Sequence, residues 1–527
     1  MYHLHILLIT LLALITKNES LKILVYFPVM SKSHSILGQG VVTHMLNAGH
    51  EVVHVTSFPR EKPVANLREI STWPIAVENM NQNPDFLETF KLRNQIKNGN
   101  FGDTWMFLFF TKYMNSQILE YAKVAELLSD PREKFDVVIA EWFFSDFIAG
   151  IAPLLECPLV WFCSTEAHWE ILKIIDEIPN PAYTLNIFSE SYPPLSFWER
   201  TLELWAIIRS LLLVPYEKSA YNRIFPKLAE KRGVEMPPYN EAIYNSSFTF
   251  FNSHPSLGTP HKLPQNTKYI AGYHIDDRVK PLPQHLQKLM DEAEHGVIYF
   301  SLGSNLKSKD MSDDMRDSFL KVFGSLKQIV IWKFEEAADN VPRNVHLVEW
   351  TPQQSMLAHP NLKLFITHGG QLSTTEAVHY AVPVVGMPVM ADQHLNMRTV
   401  VGKGLGISVK ITDDDVADQL RDAIREVLSN NSYRQRAKEL SLIYHDRPMA
   451  PGAELVHWVQ HAVRTRGAAH LRSPALTTPL YQKMYLDLAA LVLVISIVFI
   501  KLTKKFIPND LGICYSKSFI CFRKAKF

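Results

Sequence analysis

The stretch covering residues 350–393 constrains the fold of this 527-residue chain more than any other part. Within it, an apolar and β-branched run at residues 362–367 predicts a buried strand, and a Thr-His-Gly-Gly turn leads from it into helical character over residues 373–380. A glycine turn between a strand and a helix exposes backbone N–H groups at the positive end of the helix dipole. The stretch therefore predicts a phosphate site on a strand–turn–helix unit.

Side chains of the same stretch offer partners for the rest of a nucleotide and for a sugar. Ser373 lies in the first turn of the predicted helix, and Glu376 follows three residues later on the same face, where a carboxylate can accept hydrogen bonds from a ribose diol. Trp350 offers a flat ring for a base, whereas Asp392 and Gln393 offer acceptors and donors for sugar hydroxyls. Each residue alone would be ordinary, and the prediction depends on their common spacing.

This combination resembles the signature of the UDP-glycosyltransferase family, whose inverting enzymes transfer a sugar from a UDP-sugar to small lipophilic acceptors. The resemblance covers residues 21–502 and is strongest in the second half of the chain. The matching signature positions are Phe365-Ile-Thr-His368, Gly370, Ser373, Glu376, Pro383, Pro388 and Asp392-Gln393. The roles implied are uracil and ribose binding by Trp350 and Gln353, diphosphate binding by His368, Gly370 and Ser373, ribose binding by Glu376, and sugar-hydroxyl binding by Asp392 and Gln393.

Strand and helix patterns alternate along the chain and predict an α/β fold. Short apolar runs bounded by helices recur from residue 21 and again from residue 297, with a polar, proline-rich linker at residues 273–283 between the two series. We expect two Rossmann-like doubly wound domains, of GT-B type by the resemblance, with the ligand in the cleft between them. The predicted segments are an acceptor domain (21–272), a UDP-sugar domain (284–446), and a return helix with a juxtamembrane segment (447–480).

Both ends of the chain carry apolar segments. The run at residues 6–15, followed by a polar break, predicts a secretory signal peptide over residues 1–20, with a buried first strand as the alternative. Residues 484–502 are apolar and just long enough to span a bilayer of ~30 Å. The basic tail at residues 503–527 predicts a cytoplasmic C-terminus, and hence a lumenal catalytic body anchored in the endoplasmic reticulum membrane.

Composition narrows the class of partner. The chain is 47% hydrophobic and 20% charged with a net charge of +1, which is typical of a globular protein and does not indicate nucleic-acid binding. Four cysteines predict no disulfide framework, and Asn245 and Asn430 lie in glycosylation sequons. The expected partners are a UDP-sugar, a small lipophilic alcohol or phenol, and the membrane, while a homo-oligomer stays open.

Sugar transfer to a hydroxyl needs a general base, and imidazole has a pKa near neutrality. His34 follows the predicted first strand and precedes a predicted helix at residues 36–47, and the family resemblance implies that it is the base. The family pairs this histidine with an aspartate at a strand end, where this chain has Glu141, with Asp146 five residues later. We expect Glu141 to orient the imidazole and keep Asp146 as the alternative.

Three further motifs carry weaker predictions. Ser304, in the turn after the strand beginning at residue 297, is either a diphosphate ligand or part of a plain turn. The acidic run at residues 413–415 contains an Asp-x-Asp motif typical of metal-dependent transferases, but its place before a helix favours capping over metal binding. The aromatic run at residues 105–113 could line an acceptor pocket, although core packing is the favoured interpretation.

Together these features predict an inverting hexosyltransferase that uses a UDP-sugar as co-substrate and needs no metal or other cofactor. The sequences around His34 and Glu141 look most like invertebrate family members, which favours glucose, with glucuronic acid as the alternative sugar. A catalytically silent, membrane-anchored protein that binds lipophilic compounds is the alternative function.

Overall fold

The computed structural model has two compact units, residues 20–473 and 474–506. Residues 1–19 of the predicted signal peptide, Asp413 and most of the predicted basic tail lie outside the part of the chain that the structure describes. The described residues are 20–84, 88, 91–98, 104–176, 178–276, 278–412 and 414–506.

The N-terminal half of the larger unit is built on a seven-stranded sheet in which neighbouring strands pair in parallel, in the order β3-β2-β1-β4-β5-β6-β7. Its strands are β1 (Lys22–Phe27), β2 (Glu51–Thr56), β3 (Leu67–Ser71), β4 (Val137–Trp142), β5 (Leu159–Cys163), β6 (Ser246–Phe251) and β7 (Thr267–Tyr269). The helices along this half are α1 (Lys32–Asn47), α2 (Trp73–Gln82), α3 (Leu92–Asn98), α4 (Thr104–Glu120), α5 (Ala122–Ser129), α6 (Ile151–Leu154), α7 (Trp169–Leu172), α8 (Phe197–Leu211), α9 (Val214–Arg232) and α10 (Tyr239–Ile243).

The C-terminal half repeats the plan with a six-stranded parallel sheet in the order β10-β9-β8-β11-β12-β13. Its strands are β8 (Val297–Ser301), β9 (Ile329–Lys333), β10 (Val345–Val348), β11 (Leu362–Thr367), β12 (Val384–Gly386) and β13 (Gly406–Ser408). The helices are α11 (Gln284–Asp291), α12 (Asp313–Gly324), α13 (Gln353–Leu357), α14 (Gln371–His379), α15 (Gln393–Gly402), α16 (Val416–Ser429), α17 (Asn431–His445) and α18 (Pro451–Arg464).

The strands are apolar on both faces, which is typical of parallel sheets because helices cover both sides of such sheets. In β1, Ile23 and Val25 enter the core on one face of the sheet. Leu24 and Tyr26 enter a separate core on the other face. The predicted two-domain α/β fold is confirmed, and helix α18 packs on the first sheet through Leu455.

Strand order determines where ligands bind. In each sheet the chain starts with a central strand, builds outward on one side and then returns to the other, so β1 lies beside β4 and β8 beside β11. Ligands of doubly wound sheets bind in the crevice at this switch point, beyond the carboxyl ends of the strands. The loops after these four strands are therefore the expected location of a ligand site.

The smaller unit contains α19 (Leu480–Lys483) and α20 (Leu486–Phe506). The most apolar 18-residue window within residues 486–505 has a mean hydropathy of 2.4, and the segment is long and apolar enough to cross a bilayer. The apolar helix predicted over residues 484–502 is thus present, shifted toward the C-terminus by two to four residues.

Candidate active site

The first switch point holds His34 and Glu141. Helix α1 begins at Lys32, four residues earlier than predicted, so that His34 lies in its first turn rather than in the preceding loop. Ser31 occupies the N-cap position with extended backbone, and serine is a favoured residue there. Glu141 is the penultimate residue of β4 and its side chain is fully buried.

A hydrogen bond of 2.5 Å joins His34 Nδ1 to Glu141 Oε1. Ser164, directly after β5, donates its hydroxyl to the same carboxylate oxygen, and its Oγ lies 3.3 Å from His34 Nδ1. With Nδ1 occupied by the carboxylate, Nε2 is the ring nitrogen available for proton transfer. Ser164 was not predicted from the sequence. A prediction that β5 pairs with β4 would have placed the end of β5, and hence Ser164, beside Glu141.

Burial acts to lower the pKa of His34, but the charge and hydrogen bond of Glu141 and the charge of Asp392 outweigh it and raise the pKa above its ordinary value. Asp392 belongs to the second domain, so charges from both halves act on this ring. The arrangement stabilises the imidazolium that forms when a base accepts a proton.

Asp146, the alternative partner, makes its hydrogen bonds elsewhere. Its carboxylate accepts from Trp142 Nε1 at 2.9 Å and lies 2.8 Å from Lys173 Nζ. Burial acts to raise the pKa of Asp146, but the charges of Lys173 and Lys112 hold it below the ordinary value. The carboxylate that the structure brings to His34 is therefore that of Glu141.

The second switch point is formed by two glycine turns. After β11, Gly369 has a φ of +79°, and a Cβ built on it would lie 2.5 Å from Met397. After β8, Gly303 has a φ of +84°, and a Cβ there would lie 2.5 Å from the His368 ring. Glycine tolerates both the left-handed backbone and the close approach. The turns can thus pack against each other through His368.

Gly370 is the N-cap residue of α14, which begins at Gln371, two residues before the predicted start. The first N–H groups of a helix have no partner within the helix and can bind an anion. Ser373 lies buried in the first turn, as expected. Ser304 lies half-buried in the turn that follows β8. The predicted phosphate ligands thus surround two adjacent strand ends.

His368 and Lys333 are titratable side chains close to these turns. Burial and the nearby charge of Lys333 lower the pKa of His368 to about 4, so the imidazole is neutral at neutral pH. Lys333 ends β9 and donates from Nζ to Gly303 O at 2.9 Å and to Glu335 Oε1 at 2.8 Å. Lys333 was not predicted from the sequence. Its position at the carboxyl end of β9, the strand beside β8, is the feature that could have indicated it.

Glu376 accepts hydrogen bonds from two glutamines of α13. Gln353 Nε2 donates to Oε2 at 2.7 Å and to Ser373 Oγ at 3.3 Å, while Gln354 Nε2 donates to Oε1 at 3.1 Å. The structure therefore brings together Gln353, Ser373 and Glu376, three of the predicted site residues. Gln354 was not predicted. It directly follows Gln353 and carries the same amide side chain, so it was an equally good candidate for a ribose ligand.

Trp350 lies just beyond β10 with 51% of its surface exposed. Lys32 Nζ from the first domain lies 4.2 Å from the ring centroid, and Lys333 Nζ lies 5.6 Å from it. The domains also meet where Ser31 Oγ and the Asn305 side-chain amide are 3.0–3.1 Å apart. The predicted base-stacking residue is thus an accessible ring close to both domains.

Asp392 and Gln393 lie at the start of α15. Gln393 Oε1 accepts the N–H groups of Val389 at 2.9 Å and Met390 at 3.0 Å, which leaves its amide N–H groups for a ligand. Asp392 Oδ2 accepts from Asn396 Nδ2 at 2.7 Å, and Asn396 Nδ2 also donates to Gly369 O at 3.0 Å. Asn396, which was not predicted, connects the predicted sugar ligand with the turn after β11.

The acidic run before α16 lies only partly within the described residues. Asp415 occupies the N-cap position, but its carboxylate accepts from Gln419 Nε2 at 2.6 Å and caps no backbone N–H. Among the described residues, no cluster of three or more His, Cys, Asp and Glu side chains is placed to hold a metal ion.

Aromatic rings adjoin the His34 side of the cleft. The ring of Phe143 lies edge-on to His34 with 4.7 Å between centroids. Phe107, from the predicted aromatic run, contacts Phe143, Phe144 and Phe188 with centroid distances of 5.6–6.0 Å. Because Phe107 and Phe143 are only partly buried, they offer apolar surface beside the imidazole.

A family model described as "UDP-glucoronosyl and UDP-glucosyl transferase" matches residues 22–518. The chain belongs to this family. It is 33% identical over 488 residues to UDP-glucosyltransferase 2 of Dactylopius coccus, covering 91% of both chains. It is 30% identical over 368 residues to UDP-glucuronosyltransferase 2B15 of Rattus norvegicus, covering 68% of this chain and 67% of the other.

Solved structures share the fold. The calicheamicin glycosyltransferase CalG4 superimposes with a TM-score of 0.55 at 17% identity, over 85% of this chain and 99% of the other. Os79 from O. sativa in complex with UDP gives a TM-score of 0.54 at 17% identity, over 84% and 99%. The chain is thus a UDP-glycosyltransferase of GT-B fold, as the sequence predicted.

Proposed function

We propose that this enzyme transfers glucose from UDP-glucose, with inversion at the anomeric carbon, to the hydroxyl of a small lipophilic alcohol or phenol. The observation that carries the proposal is the hydrogen bond between His34 and Glu141, at the same cleft as the glycine turns after β8 and β11. A base and an anion site on opposite domains suit a reaction in which a nucleophile attacks from one side while a diphosphate leaves from the other.

In the proposed reaction, His34 Nε2 accepts the proton of the acceptor hydroxyl as its oxygen attacks the anomeric carbon. Glu141 stabilises the imidazolium that results. The bond from that carbon to the diphosphate oxygen breaks, and UDP leaves with the electron pair. The N–H groups at the start of α14, neutral His368 and the charge of Lys333 stabilise the leaving diphosphate, so we expect no metal requirement.

The remaining donor contacts follow from the site residues. We propose that Trp350 stacks on uracil, that Gln353 and Glu376 bind the ribose, and that Ser304, Gly370 and Ser373 bind the diphosphate. Asp392 and the amide of Gln393 bind sugar hydroxyls. Glucose is favoured because the similar insect protein is named a glucosyltransferase.

The proposed acceptor site is the partly buried aromatic surface around Phe107 and Phe143, beside the base. Apolar rings there would hold a lipophilic acceptor by removing its surface from water. We further propose that α20 anchors the enzyme in the endoplasmic reticulum membrane, with its body lumenal and its basic tail cytoplasmic.

Product mass tests this function. Microsomes that contain the full chain are incubated with equal amounts of UDP-glucose and UDP-glucuronic acid and a panel of phenols and alcohols. The expected product is an acceptor heavier by one hexose residue. A hexuronic acid adduct would overturn the choice of sugar. Absence of any adduct, with acceptor binding retained, would favour the silent binding protein.

The matched control is His34→Ala in the same microsomes. We expect this variant to lose turnover of alcohols, because no base accepts their proton, and to retain UDP-glucose binding, because His34 contacts the acceptor. Phenols lose their protons more easily and should keep some turnover. Full activity toward alcohols in His34→Ala would remove His34 as the base.

A further inference from the structure

Helix α8 has its polar and apolar faces reversed relative to an ordinary surface helix. Its single buried residue is Glu203, whose carboxylate accepts from the backbone N–H of Asn186 at 3.0 Å and from its side chain at 2.9 Å. The residues on the solvent side are mostly large and apolar. We call this side the outer face, made up of Phe197, Trp198, Leu202, Trp205, Ile208 and Leu212.

The outer face is far more exposed than apolar residues usually are. Trp198 is 73% exposed, Leu202 65% and Trp205 57%. At 100° per residue, the six side chains occupy one continuous side of the helix, opposite Glu203. A contiguous exposed apolar patch of this kind marks a surface that is covered by a partner or a membrane.

The polar groups around the outer face suit a bilayer. The hydroxyl of Thr201, which lies among the apolar side chains, donates to Phe197 O at 2.9 Å and needs no partner from outside. Arg209 lies within the face close to the edge formed by Leu202, and its long side chain can carry the guanidinium to lipid phosphates. Arg200 lies beyond the opposite edge and donates to Leu195 O at 2.9 Å. Tryptophan is enriched at the boundary between headgroups and acyl chains.

The same chain carries a helix able to cross a bilayer, residues 486–505. A chain held at a membrane meets lipid at high local concentration, so a weak second contact becomes effective. We propose that α8 lies in the plane of the membrane interface, with its outer face inserted among the lipids. This contact is a second membrane attachment, separate from α20, and it does not depend on the sugar-transfer mechanism.

Site-specific fluorescence in vesicles tests the proposal. The full chain carrying Leu202→Cys is labelled with an environment-sensitive dye and reconstituted in phosphatidylcholine vesicles, with and without spin-labelled phosphatidylcholine. Leu442→Cys is the matched control because Leu442 is 73% exposed on helix α17. The unsubstituted chain, labelled in parallel, corrects for the native cysteines.

We expect the dye at position 202 to show a blue shift and a loss of intensity with spin-labelled lipid, and the dye at position 442 to show neither. Equal responses at the two positions would overturn the proposal. The dye at position 202 could instead lose intensity as the number of chains per vesicle rises, without any need for spin-labelled lipid. That result would also overturn the proposal, because a second copy of the chain would then cover the outer face.

A second variant separates insertion from mere proximity. Trp198→Glu and Trp205→Glu together, in the Leu202→Cys chain, should abolish the lipid response because each places a charge in the outer face. Because both side chains are exposed, the thermal unfolding midpoint should stay close to that of the parent. An unchanged lipid response in this folded variant would overturn the proposal.

Discussion

Glu141 Oε1 lies 2.5 Å from His34 Nδ1, although the two residues are 107 positions apart in the chain. They meet because β1 and β4 are neighbours in the sheet, Glu141 lies at the carboxyl end of β4, and His34 lies in the first turn of α1, the helix that follows β1. This contact raises the pKa of the imidazole above its ordinary value. The first prediction follows from that shift.

Glu141→Gln should lower turnover and move the acid limb of the pH profile of kcat/KM to lower pH. The base must be neutral to accept a proton, so activity falls as pH drops through the pKa of His34. Removing the carboxylate lowers that pKa, and the limb follows it. The plateau should also fall, within the ~10²–10⁴-fold that proton transfer by a positioned group contributes.

The matched control is Glu170→Gln, since Glu170 accepts from His168 Nδ1 at 2.6 Å in another buried histidine–carboxylate pair of the same domain. Initial rates over a pH series with both variants are the measurement. The acid limb should keep its position in Glu170→Gln. An unmoved limb in Glu141→Gln would show that another group sets the profile.

Asp146→Asn should destabilise the fold while leaving the pH profile of the folded enzyme unchanged. The substitution leaves the Lys173 ammonium without its carboxylate partner, and losing such a charged hydrogen bond lowers the free energy of unfolding by ~1–3 kcal/mol. The folded pKa of Asp146 is lowered, so its stabilisation is present above the ordinary aspartate pKa and lost as pH falls through the lowered value.

Thermal unfolding between neutral and acid pH is the measurement for Asp146. The difference in Tm between parent and Asp146→Asn should narrow as the solution becomes acid. Asp130→Asn is the control, because Asp130 pairs with Arg132 at the surface, where ion pairs contribute little. A stable Asp146→Asn enzyme without turnover would instead assign Asp146 a role in catalysis.

Glu376→Ala should weaken UDP-glucose binding by roughly tenfold to a hundredfold. Loss of one hydrogen bond to a charged acceptor corresponds to ~1.5–3 kcal/mol. The change also removes the acceptor that holds the Gln353 and Gln354 side chains, so the site loses order as well as a ligand. Titration of the variant with UDP, followed by tryptophan fluorescence, measures the effect. Glu439→Ala, which removes an exposed ion pair with Arg436, is the control, and equal affinities in the two variants would contradict the assignment.

Lys333→Met should weaken UDP binding while changing uridine binding much less. Lys333 supplies positive charge beside His368 and the turn at Gly303, where the diphosphate is proposed to bind. Uridine has no negatively charged diphosphate, so its affinity should respond only to the change near Trp350. Calorimetric titration with both ligands is the measurement, with Lys321→Met on the exposed side of α12 as the control. A uniform loss for UDP and uridine would indicate that Lys333 acts through Trp350 instead.

Much of the fold could be predicted from the sequence because its signals are local. Runs such as Leu362–Thr367 have the length and apolar content of a buried strand, and the alternation of such runs with helices indicates a doubly wound sheet. The turn from His368 to Gly370 can be recognised because glycine is needed where the backbone is left-handed. Element ends were less certain. The start of α1 at Lys32 was not predicted because helical propensity around Ser33 is too weak a signal to mark a first turn.

The choice between Glu141 and Asp146 required the tertiary structure. Both are carboxylates near the end of β4, and only strand pairing and the direction of each side chain direct one to His34 and the other to Lys173. The same reason explains why Ser164 and Lys333 were missed, since each joins the site through a neighbouring strand. The reversed faces of α8 also depend on which side packs on the domain. Sequence thus determined which elements and signature residues exist, whereas the packing of elements distant in the chain decided which side chains meet.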